Sequence, residues 1–192
     1  MNSPLAGRNS VRAPNGYTLV ELLAVVTVIG VVSAIAIPRF NHYYETSCVQ
    51  AAMAEVTGMI KEAKANALCE GRDYGVGFDL VNGRVSLISG KGRDDKWNTD
   101  DDRVVRSFSL AAKGGGLSFG YGSCGPAPNC GPVSDGVSFN SNNPIVCDDR
   151  LVGNAGAVYI SSRGGAAMAI VMNSTEAGWK LYKWNGKKWV RL

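Results

Sequence analysis

Histidine is nearly absent: His42 stands alone in 192 residues. One imidazole, lying just beyond a long apolar run, gives no Ser-His-Asp or Cys-His arrangement. It also leaves the five cysteines without the histidines that most zinc sites add to them. The spacing of an EF-hand is missing too, although Asp94, Asp95, Asp100, Asp101 and Asp102 crowd around Trp97. Arg93, Lys96 and Arg103 interleave with those aspartates, which reads as a solvated loop. The chain therefore makes no good case for an enzyme or a cofactor, and a calcium site on these aspartates stands only as the rival to the solvated loop. Charge is sparse overall, at 19% of residues, and no internal repeat is visible.

What is present is concentrated at the head. Residues 17–37 form an apolar run whose one charge is Glu21. A run of that length suits a membrane helix. A carboxylate inside it costs at least ~2.5 kcal/mol on insertion scales, so Glu21 demands a function and a cationic partner. Residues 1–16 carry Arg8 and Arg12 and no acid, which holds them on the cytoplasmic side. Removing them lowers the formal charge of +4 by two units, so the basic balance says little about partners. Cleavage after Gly16 would place a new amino group on Tyr17, one helical turn from Glu21. A neighbouring copy in a staggered bundle would bring its own amine equally near.

The run Gly16-Tyr17-Thr18-Leu19-Val20-Glu21-Leu22-Leu23 resembles the processing site of type IV pilins and type II secretion pseudopilins. The resemblance implies cleavage after Gly16 by a prepilin peptidase and N-methylation of Tyr17, where the family usually has Phe. It implies an assembly role for Glu21, and helix-loosening roles for Gly30 and Pro38. Gly lowers helix propensity, and Pro removes a backbone bond. A secretory signal would instead be cut after its apolar region.

Beyond the span, Val49, Ala52, Met53, Val56, Ile60, Ala63 and Ala67 recur at helical spacing. They predict a continuing helix with a narrow apolar face of small residues, ending at Gly71. Runs at 74–80, 85–88, 104–110, 117–121, 137–140, 157–161, 167–173, 179–184 and 187–192 read as strands. Asn82-Gly83 and Asn185-Gly186 read as hairpin turns, the latter pairing Trp184 with Lys187. The order gives an α+β fold with four segments. They are a leader at 1–16, a membrane helix at 17–37, its periplasmic continuation at 38–71 and a β domain at 72–192. His42, Tyr43 and Tyr44 suit the lipid headgroup level.

Five cysteines outside the cytoplasm allow disulfides. Cys48 and Cys69 lie ~31 Å apart on one helix and cannot pair. Cys124 and Cys130 bracket a short loop and are favoured as a local disulfide.

With Val137-Ser138-Phe139-Asn140, then Gly153 and Gly156, Val158-Tyr159-Ile160-Ser161, Ala169-Ile170-Val171, Gly178 and a Trp-containing tail, the β region resembles type II secretion protein H and the FimT minor pilins. This implies a minor subunit that joins other pilins or pseudopilins through an inner-membrane assembly platform. Its domain would face the periplasm, in a tip or assembly-priming position. Alternatives are a DNA-binding minor pilin for uptake and a pilus-tip adhesin. The DNA reading rests on Lys180, Tyr182, Trp184, Lys187, Trp189 and Arg191, cations interleaved with rings on one hairpin face. The Gly-Arg-x-Arg motif of the DNA-binding relatives is missing after Gly178, which favours an ordinary solvated sheet face.

Overall fold

The computed structural model describes residues 16–97, 99–128, 130, 133, 136–139, 144–147, 155–172 and 178–192. The expected leader lies outside the described residues except for Gly16, as does Asn140 of the expected strand 137–140. Helix α1 spans Leu19–Glu70 and runs unbroken through Gly30 and Pro38. The chain divides between Arg39 and Phe40 into two units.

In the first unit, α1 is apolar on every side, and its large side chains are exposed among the described residues. Leu19, Val20, Leu22, Leu23, Val25, Val26, Ile29 and Val32 are all more than half exposed. Its composition and length are those of a membrane-crossing helix. Such a helix has no stable place in water, because a soluble helix needs a polar face.

In the second unit, α1 behaves as a core helix. Val49, Ala52, Met53, Val56, Ile60, Ala63 and Ala67 are buried as their spacing predicts, together with Cys48 and Met59. Two antiparallel sheets close on this stripe. One has the strand order β3-β2-β1-β5, made of Val104–Ser109, Arg84–Ile88, Tyr74–Asp79 and Ile145–Cys147. The other has the order β4-β6-β7-β8-β9, made of Ser118–Phe119, Gly156–Ser161, Ala167–Met172, Trp179–Trp184 and Trp189–Arg191. Val76, Phe78, Val85, Leu87 and Ile145 meet the helix from the first sheet. Val158, Ile160, Met168, Ile170 and Met172 meet it from the second. The period of two decides these faces, and the small helix residues let both sheets approach. Phe78 bridges the sheets, edge-on to Phe119 at 5.9 Å and stacked on Phe139 at 6.4 Å. The architecture is α+β.

The opposite face of β6 and β7 is also dry. Tyr159, Ala157 and Ala169 join Tyr182 of β8 and Ala127 in a second cluster, with Tyr121, Cys130, Val133 and Trp189 packed around it. Both faces of these strands are therefore buried.

Several expectations need correction. Val137 makes one bridge to Val158 rather than a strand. β5 was not foreseen: three residues are too few to show alternation. The strand read at 187–192 begins at Trp189, and the one at 117–121 holds only Ser118–Phe119. Both Asn-Gly pairs sit inside four-residue turns. β1 pairs Asp79 with Arg84, and the Asp79 carboxylate accepts from the N–H groups of Val81 and Asn82 at 3.1 and 3.0 Å. β8 pairs Trp184 with Trp189, and the Asn185 side-chain oxygen accepts from the N–H groups of Lys187 and Lys188 at 3.0 and 2.9 Å. A side-chain cap at the head of each turn wins over the two-residue turn type.

Gly71 stops the helix as expected, at φ +63° with its N–H on the Ala67 carbonyl at 2.9 Å. Trp97 was read as part of a solvated loop, but it is buried against the outer face of β1. There Gly75 leaves the space: a Cβ on it would stand 2.7 Å from the indole. Gly75→Ala is therefore expected to destabilise the domain by about 1–3 kcal/mol through overpacking. Thermal melts should show the drop, and tryptophan emission should shift red as Trp97 becomes wetter.

Candidate functional site at the head of the helix

Thr18 and Glu21 hold one another. The Thr18 N–H donates to Glu21 Oε2 at 2.9 Å, and the Thr18 hydroxyl donates to the same oxygen at 3.0 Å. In return the Glu21 N–H donates to Thr18 Oγ1 at 3.2 Å. This is a capping box: a hydroxyl residue before the first turn and a glutamate three residues on, each satisfying the other's backbone donor. The Leu22 N–H then reaches the Thr18 carbonyl at 3.2 Å and starts the helix. The sequence carries the signal as Thr18-Leu19-Val20-Glu21, a hydroxyl residue followed three positions on by a glutamate.

Gly16 and Tyr17 precede the helix without secondary structure, and Tyr17 is 89% exposed. A Cβ built on Gly16 meets nothing within 4 Å, so the fold itself does not require glycine there. Gly30 is equally open. Pro38 lies inside α1, where it lacks an N–H for the carbonyl of Ala34.

A family described as the prokaryotic N-terminal methylation motif matches residues 12–37. A fimbrial protein of Pseudomonas aeruginosa is 32% identical over 117 residues, covering 55% of this chain and 73% of that one. This chain belongs to the type IV pilin-like family. The type IV major fimbrial protein FimA of Dichelobacter nodosus is 41% identical over 70 residues, covering 35% of this chain and 44% of that one. Among solved structures, the minor pseudopilin EpsH of the Vibrio cholerae type 2 secretion system has a TM-score of 0.46 at 12% identity, covering 69% of this chain and 94% of that one. The chain is thus a pilin-type subunit, of a family whose members associate in filaments.

The pilin-like domain does not keep the six tail residues on one open face. Trp189 packs on Trp184 at 5.6 Å and on Tyr159 at 5.9 Å, and its indole N–H donates to the Gly125 carbonyl at 3.2 Å. Tyr182 is buried. Lys187 falls in the turn, while Lys180 stands at the other end of β8. Arg191 pairs across from Tyr182 and is exposed. Trp189, held by Tyr159 and Gly125, and the buried Tyr182 are not free to stack on bases. The strand register is offset by two residues from the expected one, which preserves the faces and changes only the turn.

Cys124 and Cys130, expected as a disulfide, are both thiols here. The Cys124 thiol faces the Gly165 carbonyl at 3.8 Å, and burial pushes it up from its ordinary range. Cys130 lies beside Tyr159, whose phenol accepts the Ala127 N–H at 3.0 Å and is pushed up to about 12, first by burial. In the aspartate loop the carboxylates serve the chain's own donors. Asp102 accepts from the N–H groups of Gly92 and Thr99 at 2.9 and 3.1 Å, and Asp101 from the Thr99 hydroxyl at 2.7 Å. Among the described residues no group of three or more metal-ligating side chains forms.

Thr18→Ala removes the hydroxyl from the capping box, at a cost of about 1 kcal/mol in the first turn. Amide exchange at residues 19–22 should accelerate severalfold in this variant, while the domain's amides stay unchanged.

Proposed function

We propose that this chain is a minor subunit of a type II secretion or type IV pilus filament, made as a precursor and stored in the inner membrane. Prepilin peptidase cuts between Gly16 and Tyr17, and Tyr17 is then methylated. Residues 17–37 cross the membrane, residues 38–71 continue the helix, and residues 72–192 form a domain in the periplasm. The assembly platform draws the subunit out, and it takes a tip or priming position among other pilins or pseudopilins.

One observation carries this reading: the charge in the otherwise apolar exposed helix is held within its own first turn by Thr18. In the stored subunit the capping box lowers the cost of keeping a carboxylate at the edge of hydrocarbon. On assembly an N-terminal amine offers Glu21 a full opposite charge, a stronger partner than a neutral donor. Gly30 and Pro38 then mark where the helix opens most cheaply, because one lacks a side chain and the other a backbone donor.

The open space at Gly16 makes a clean test of processing. Gly16→Leu should leave folding intact and block cleavage. Mass spectrometry of the membrane fraction should find a mature chain starting at Tyr17 in the wild type alone; another start would sink the reading.

Glu21 permits a finer separation. Glu21→Gln keeps the capping geometry, since glutamine serves at that position, but removes the charge. Glu21→Ala removes both. If the charge guides assembly, recovery with partner pilins should fall tenfold or so in both variants, for a loss of about 1.4 kcal/mol. If capping alone matters, Glu21→Gln should assemble normally.

A further inference from the structure

The cations of the C-terminal hairpin gather at one end of the domain, and that end is where the chain enters it. β6 and β7 pair Ser161 with Ala167, so their turn holds Arg163. β7 pairs Met168 with Lys183 of β8, and the next turn, between Trp184 and Trp189, holds Lys187 and Lys188. The two turns therefore project from the same end of adjacent strands. Glu45 fixes that end to the helix: its Oε2 accepts from the Ser162 hydroxyl and the Gly164 N–H, both at 2.7 Å. A Cβ on Gly164 would collide with this carboxylate. Glu45 follows Phe40, where the unit begins, by about 8 Å of helix rise.

Arg163, Lys187 and Lys188 are exposed, and Lys183 is half-buried beside them. Tyr43 and Tyr44 are exposed on the same stretch of helix, at 70% and 48%. The described carboxylates near this end are engaged: Glu45 by the turn, Asp79 by its own loop and Glu55 by Lys113. The aspartates at 94–102 lie in the loop joining β2 to β3, whose Gly90 neighbours Asp73 just past the helix end. Lys91, Arg93, Lys96 and Arg103 share that loop. Glu45 and Asp79 keep their charge, but Arg163, Lys183, Lys187 and Lys188 outnumber them, so the described charge at the Phe40 end is net positive.

We propose that the rim formed by Arg163, Lys183, Lys187, Lys188, Tyr43 and Tyr44 docks on the anionic phospholipid headgroups of the membrane that residues 17–37 cross. Cations near such a surface are attracted to phosphate, and tyrosines settle at the headgroup level beside them. The span supplies a high effective concentration, so each contact needs little affinity of its own. A nucleic acid would use the same cations, but on the hairpin Trp189 is held by Tyr159 and Gly125 and Tyr182 is buried, which leaves a poor stacking platform and favours the lipid surface. Docking would hold the domain against the bilayer until extraction lifts it away.

The inference rests on the membrane-spanning reading of residues 17–37, and the test separates the two. The full chain is reconstituted in nanodiscs of phosphatidylcholine, alone or with roughly one third phosphatidylglycerol. Co-elution with the discs reports the span; a chain that stays off them overturns both readings. A pulse of amine-acetylating reagent, read by peptide mass spectrometry, then reports the rim. Lys187 and Lys188 should react about fivefold more slowly in the anionic discs, with Lys91 and Lys96 unchanged. High salt should restore their reactivity. Arg163→Gln combined with Lys183→Gln should remove most of the protection while keeping both reporters. Equal reactivity in the two discs overturns the proposal. Protection by a single-stranded oligonucleotide without protection by phosphatidylglycerol overturns it in favour of nucleic acid.

Discussion

Everything in the domain leans on one stripe of α1, from Cys48 to Ala67, against which two sheets close. Its residues are mostly small, and large side chains from the two sheets pack against them. Met53, Met59 and Ile60 are the exceptions, and they are fully buried. Burial on this scale is the dominant favourable term in folding. The ion pairs at its edge, Arg106 with Glu62 at 2.9 Å and Lys113 with Glu55, are partly exposed and add little beyond register.

The same helix carries two patterns of polarity. Before Phe40 its large apolar side chains point to all sides and are exposed among the described residues; after Cys48 one face is dry and the other wet. This division follows directly from the sequence, because an all-round apolar run and a one-sided apolar stripe are different patterns. The one acidic residue of the first part sits in its opening turn, where Thr18 and Glu21 satisfy each other.

Much of the fold was therefore legible. The helix face, its stop at Gly71 and most strands were written in periodicity and turn residues. What escaped was decided by contacts between distant segments. β5 is three residues long and exists because β1 offers it an edge. Trp97 sits among aspartates and looks solvated, yet the slot over Gly75 takes it in. Both four-residue turns hinge on an Asp or Asn side chain reaching backbone N–H groups, which a dipeptide signal cannot reveal. At the candidate site, Glu21 was conspicuous as a charge, while its capping role lay in the spacing to Thr18. The tail rings looked free because nothing in the local pattern tells of Tyr159 beneath them.

The Glu45 contact has a mechanical meaning. Load applied along the helix from its N-terminal side first meets the hydrogen bonds from Ser162 and Gly164, before it reaches the buried stripe. Past that point the contacts of Val49 to Ala67 lie side by side along the axis, so a pull shears them together instead of peeling them singly. Forced unfolding is governed by the barrier to the first irreversible step. A chain built this way yields at its charged clasp while its core stays shut, and the domain can be hauled by its helix without coming apart.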